Sequence, residues 1–413
     1  MNHSRLLLAA ILSLGALLVL FGGCVEENGS LYDPNADLGP QPTVSSIVST
    51  LMADSALADY DTLTITGTGF SPDPASNWVF FNANIRSPYA ATGTELRIRP
   101  PKEIGSNVQV RIARRSSDLL SDPITYKLGA AVETFSGLLD TSSHAMATDA
   151  SGNLYVAISA LLSTGSRADA GIHFVTPDGG RSVYAPPTPG LVNWTGLKMG
   201  PGGFLYAVRN QRAIYRINPG GGSATPWAQI TSPSGVLITE IEFDQSGNLW
   251  AGGNNTSIFC IRPDRTYKAS PFAALVRSLR VYNGDMYISA LAGGENQIWR
   301  APIIGDSLGA AVLYFDFNAA FPGYIPNAIT FSSDGFLFIA TDDPEGIVIV
   351  SPGGSVSTPY GGYADLFRPS MRYLAWGSGT SLYGSSSLVA DPPSEGLFLR
   401  IQTRQTSAPY YGH

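Results

Sequence analysis

Six near-copies of one phrase constrain this fold more than any other feature of the sequence. They begin at Met146, Leu197, Ile241, Leu279, Ile329 and Leu374 and read "MATDASGNLYVA", "LKMGPGGFLYAV", "IEFDQSGNLWAG", "LRVYNGDMYISA", "ITFSSDGFLFIA" and "LAWGSGTSLYGS". In each, an apolar stretch enters a glycine-bearing turn and leaves as a second apolar stretch, the pattern of a β-hairpin. With Leu154, Leu205, Leu249, Met286, Leu337 and Leu382 as anchors, the spacings are 51, 44, 37, 51 and 45 residues. Repeats of roughly 20–50 residues mark arrays, and about 45 is the length of a four-stranded propeller blade. Further strands come from "IHFVTPDGGRSVYA", "IYRINPGGGSATPWA", "IFCIRPDRTYKASPF", "GIVIVSPGGSVSTPY" and "LFLRIQTRQTSAPYY". One blade leaves both faces wet and a closed ring buries them, so residues 129–413 are expected to form a six-bladed β-propeller. Two segments compete to seal the ring, "AAVETFSGL" before the first hairpin and "TSAPYY" near the end, and the pattern does not choose between them.

Residues 42–128 carry a different rhythm of short alternating strands: "DTLTITGTGF", "NWVFFNA", "ELRIRPP", "NVQVRIARR" and "DPITYKL". This predicts a small β-sandwich, making the whole chain all-β: an immunoglobulin-like sandwich followed by the propeller. Only 14% of the residues are charged, while 45 glycines and 29 prolines supply turns. The net charge of −7 offers no broad attraction for a phosphate backbone, so nucleic acid is not expected as a partner.

The first 24 residues read as an address rather than a fold. Arg5 precedes an uncharged run from Leu6 to Phe21, and two glycines precede Cys24, as in a signal peptide. "FGGC" resembles the bacterial lipobox, with Phe21 where Leu is commoner. The resemblance implies lipid attachment at Cys24, a membrane-anchored envelope location, and residues 25–41 as a tether. The acidic pair Glu26 and Glu27 resembles the export tag of surface lipoproteins, which points to the outer membrane. Cys260 is then left without a disulfide partner and reads as a buried strand thiol.

The order Pro42, "ITGTGF", "VFF", "ITYKL" resembles the IPT/TIG domains, which implies a spacer or interaction module. The phrase "D.SGNLYVA" resembles the NHL repeat and, more loosely, the six-bladed gluconolactonase and senescence marker protein group. That group holds a divalent cation in its channel with acidic and amide side chains. Glu240, Asn327 and Asp342 are the oxygen ligands that the resemblance implies, with calcium or another divalent ion as cargo. The family's first-blade Glu is His144 here, a departure that tells against lactonase chemistry.

Motifs for catalysis are nearly absent. "GDSLG" at Gly305–Gly309 matches the nucleophile-elbow pattern, but it lies between strands with no helix after it, so Ser307 reads as a loop serine. His173, within "GIHFV", reads as a strand residue. Loops entering each innermost strand, and loops between second and third strands, should surround one mouth of the channel. Repeat alignment places His144, Thr195, Glu240, Arg277, Asn327 and Arg372 in the first set, and Asn210, Asn254, Glu295, Asp342 and Asp391 in the second. Trp194 joins them as a ring able to stack on a sugar. The expected function is non-catalytic binding of a glycan or protein, with no resident cofactor required. A metal-dependent lactonase and an idle envelope scaffold are the alternatives.

Overall fold

The computed structural model describes residues 39–49, 54–135, 142–161, 167–188, 193–359, 371–386 and 397–412. The signal segment, Cys24 and most of the tether lie outside these residues, as does Asp391. Among the described residues, no helix is long and apolar enough to cross a membrane. Those up to Ala56 and from Asp61 to Lys127 form one compact unit; those from Leu57 to Tyr60 and from Leu128 onward form the other.

The first unit contains two sheets. One orders Thr43–Ser49, Leu63–Thr68, Glu95–Ile98 and Ala90–Ala91; the other orders Ser55–Leu57, Ile124–Gly129, Gly105–Arg114, Asn77–Phe81 and Asn84–Arg86. Alternate residues turn inward, as the period of two requires. Leu63, Ile65, Leu96 and Ile98 are buried on the first sheet, and Val79, Phe81, Val108, Val110 and Ile112 on the second.

In the second unit the described strands make six antiparallel blades, and the chain is a β-propeller here. Blade one comprises Ser142–Thr148, Leu154–Leu161, Arg167–Val175 and Arg181–Ala185; blade two comprises Gly196–Met199, Leu205–Val208, Ala213–Ile217 and Thr225–Gln229. Blade three runs through Glu240–Phe243, Leu249–Gly252 and Asn254–Ile261 to the long strand Tyr267–Tyr282. That strand pairs outward in blade three as far as Leu275, then continues as the innermost strand of blade four. Blade four adds Asp285–Ala292, Glu295–Ile304 and Val312–Phe315, and blade five Pro326–Phe331, Leu337–Thr341, Ile347–Val350 and Val356–Ser357. Blade six holds Met371–Trp376, Ser381–Ser386 and Leu397–Gln402, and its outer strand is Val132–Thr134. The competition to seal the ring is thereby settled for the segment before the first hairpin, with Val132 opposite Ile401 and Thr134 opposite Leu399. An ion pair between Glu133 and Arg400 crosses the seam, and Arg400 Nη1 donates to the Pro177 carbonyl of blade one at 2.8 Å.

The repeated phrase is a hydrogen-bonding device. Asp244 Oδ1 accepts from the backbone N–H groups of Ser246 (2.9 Å) and Asn248 (3.0 Å), and Oδ2 accepts from Asn248 Nδ2 (3.0 Å) and Trp250 Nε1 (2.9 Å). Asp149 repeats this with Ser151, Asn153 and the Tyr155 hydroxyl. Gly152 and Gly247 sit at φ of 78° and 79°, the left-handed turn that side chains resist. The "GDSLG" segment is a tight hairpin in which Ile304 faces Ser307, and Asp306 there pairs with Arg262 and Lys268. It is not a strand-to-helix elbow. Cys260 is fully buried, and burial pushes its thiol up to about 12, as expected of a packed strand residue.

The "TSAPYY" segment, displaced from the seam, closes the hairpin-turn end of the channel instead. Ala408 N–H donates to the Phe331 carbonyl (3.1 Å), and the Tyr410 hydroxyl accepts from the Phe331 N–H (2.5 Å) and from Thr330 Oγ1 (3.2 Å). Tyr410→Phe leaves a buried N–H without its acceptor, an omission that costs about 1–3 kcal/mol. Thermal unfolding is expected roughly 2–5 °C lower for this variant. An unchanged midpoint would show that water replaces the phenol.

Candidate functional site

The innermost strands stack three rings of side chains around the channel. The second residue of each repeated phrase forms the ring nearest the tail: Ala147, Lys198, Glu242, Arg280, Thr330 and Ala375, which line one cavity with Tyr410 and Tyr411. Two residues earlier in each strand, as pleating requires, come Ala145, Gly196, Glu240, Ser278, Ala328 and Tyr373.

Three charges of the first ring and one of the second form a closed network. Lys198 Nζ lies 3.0 Å from Glu242 Oε2, and Arg280 Nη1 lies 3.3 Å from the same carboxylate oxygen and 3.2 Å from Glu240 Oε1. Arg280 also donates to the carbonyls of Leu279 and Leu374. Two cations and two anions balance. Burial pushes the Glu240 carboxyl above its usual range and Lys198 below, each opposed by its oppositely charged neighbours. Burial also weighs against the charge of Arg280, but Glu242 and Glu240 together hold its pKa above the ordinary value.

The third ring forms the mouth, and a backbone irregularity makes it. Register passes from Ser143 to Ala145, from Val276 to Ser278, from Pro326 to Ala328 and from Met371 to Tyr373, so His144, Arg277, Asn327 and Arg372 are extra residues in their strands. In blades two and three the Val208 and Gly252 carbonyls accept from Thr195 and Thr239, although Gly196 and Glu240 occupy the paired positions. All six described innermost strands therefore bulge at one level. Bulges re-aim side chains at the rims of barrels and at active sites. Here Thr195, Thr239, Arg277, Asn327 and Arg372 line a cavity of about 210 Å³ with Leu275, Val276 and Tyr373.

The sequence-based ring is thus corrected at one blade: the rim residue of blade three is Thr239, and Glu240 lies one ring deeper. Arg277, Asn327 and Arg372 stand where expected. His144 occupies the matching strand position, and its side chain lies outside the described residues. Trp194 is only 1% exposed and lies beneath the Arg209 guanidinium, 3.3 Å from its ring centroid, so it is core and not a stacking surface. Asn210 is an exposed turn residue at φ 56°, Asn254 begins an exposed strand end, and Glu295 accepts from Gln297 Nε2; none of the three lines the mouth cavity.

The oxygen-ligand trio does not fit a cation. Glu240 is engaged by Arg280, Asn327 Nδ2 donates to the Met371 carbonyl at 3.0 Å, and Asp342 Oδ1 accepts from the Ile325 N–H at 2.5 Å. Two arginines at the mouth oppose a metal ion further. Among the described residues, no three His, Cys, Asp or Glu side chains gather as a metal-binding group.

Lys198, Glu242, Arg280, Thr239 and Tyr373 escaped the sequence reading. The first three were visible as charges in the centre of apolar triplets, "LKM", "IEF" and "LRV".

No protein-family model and no curated protein matches the chain. Solved structures do. One of unknown function from Bacteroides thetaiotaomicron is 13% identical, with a TM-score of 0.51 over 90% of this chain and 99% of its own. An auxiliary nutrient binding protein from the same organism is 12% identical, with a TM-score of 0.51 over 89% and 98%. A calcium-binding protein, regucalcin, from Agrobacterium tumefaciens is 14% identical, with a TM-score of 0.52 over 67% and 95%. At such identities the likeness is one of fold, and the fold is that of the β-propeller proteins.

Proposed function

We propose that this chain is a non-catalytic binding protein of the cell envelope that captures a glycan in the mouth of its propeller. In this reading Cys24 carries the lipid that anchors it at the outer membrane, residues 25–41 are the tether and residues 42–128 an IPT/TIG-like spacer. The observation that carries the proposal is the ring of bulges, which turns polar side chains of several blades into one open cavity. Below it the channel is filled by a charge-balanced network, which leaves its carboxylates committed to cations and so unsuited to acid–base work. The similarity to a protein described as an auxiliary nutrient binding protein agrees with a capture role.

The cavity is smaller than the roughly 300–1,000 Å³ of sites for drug-sized ligands, so it admits about one sugar ring of a longer chain. The test is a glycan panel against the full chain and a Thr195→Trp variant that fills the mouth. Binding weakened at least tenfold in the variant, with an unchanged unfolding midpoint, is the expected result. Equal binding by both, or capture of a protein and no glycan, overturns the proposal.

A further inference from the structure

Building on that reading, we infer that the mouth selects an anionic sugar unit, a uronate or a sugar phosphate, held between the guanidinium groups of Arg277 and Arg372. Both residues are bulge residues lining the same cavity, on blades four and six. Neither makes an ion pair among the described residues. Arg277 Nη2 reaches Asn296 Oδ1 at 3.4 Å, a long contact, and the Nε atoms of both arginines are buried with no hydrogen-bond partner.

The surrounding charges favour an anion. Among the described residues, no acidic side chain lines the mouth cavity. Glu240, one ring deeper, is held by Arg280. Asp342 is the acid whose field reaches Arg277, and one of its oxygens is taken by the Ile325 N–H. Among the described residues, Arg277, Arg372 and Asp342 give a net charge of +1 above a neutral network. The two guanidinium groups also repel one another, and an anion between them relieves that repulsion. A planar guanidinium fork matches a carboxylate or phosphate through paired hydrogen bonds. Thr195, Thr239 and Asn327 add short polar groups suited to sugar hydroxyls, which simple anions lack.

The test is calorimetric titration of the full chain at low ionic strength with glucuronate, glucose 6-phosphate, glucose and sodium acetate. The anionic sugars should bind at least tenfold more tightly than glucose or acetate, and preference between the two identifies the charged group. Arg277→Gln and Arg372→Gln should each weaken that binding at least tenfold, Arg372→Lys by less, with unchanged unfolding midpoints. Raised salt should weaken it progressively. Equal affinity for glucuronate and glucose, or an anion response untouched by either glutamine variant, overturns the inference. Neutral glycans binding at the mouth and lost in Thr195→Trp would leave the proposed function standing without it. If no sugar of either kind binds, both fall.

Discussion

Replacing Arg280 with methionine is expected to lower stability by about 3–5 kcal/mol, because one buried cation holds two buried carboxylates. In a unit of this size that is a fall of roughly 5–8 °C in the unfolding midpoint. The Arg280→Met, Glu242→Gln double variant should recover a substantial part, since Lys198 and Glu240 remain as one cation and one anion. The coupling is read as the departure from additivity in a double-mutant cycle. The pH response of the single variant has a defined sign. Burial already raises the Glu240 carboxyl, so the folded state holds that proton more tightly than the unfolded state. Stability therefore increases as pH falls through the raised folded pKa, and removing Arg280 should enlarge the effect. A variant within about 1 kcal/mol of the parent, with no enlarged pH response, would mean that water enters and screens the carboxylates.

Asp244→Ala should follow closely, at about 2–4 kcal/mol. The change removes the acceptor of four hydrogen bonds and leaves the Trp250 indole N–H buried without a partner. Asp244→Asn should fall between, since its carbonyl still accepts the two backbone N–H groups while its amide nitrogen opposes an indole donor. Thermal unfolding of the three proteins checks the order. An asparagine variant less stable than alanine would show that donor–donor opposition outweighs the turn bonds.

These two residues also show which information the sequence makes legible. Asp244 sits in "DQSGNLW", where one carboxylate organises a turn from neighbours within six residues, so the hairpins could be read directly. Arg280 works through Glu240 and Glu242, 40 and 38 residues away, and that pairing appears only once blades three and four stand side by side. The misplacement of Glu240 has a different cause. His144, Thr195, Arg277, Asn327 and Arg372 each stand two residues before their phrase, whereas Glu240 stands one before Ile241, so the common offset lands on Thr239. Trp194 was misread because its ring is covered by Arg209 from the adjacent strand end, a partner 15 residues on that local patterning does not reveal. The seam remained open because "AAVETFSGL" and "TSAPYY" are both short apolar segments, and only three-dimensional closure distinguishes them.

The seam has a consequence in time. Glu133 and Arg400 meet across 267 residues, so the outer strand of the last blade leaves the ribosome before any of the first. Until Leu397–Gln402 arrives, Val132–Thr134 lacks the strand it pairs with. Contacts of such sequence separation are slow to form. The last sheet therefore stays incomplete for most of the chain's synthesis, and residues near 400 are the clasp that completes it.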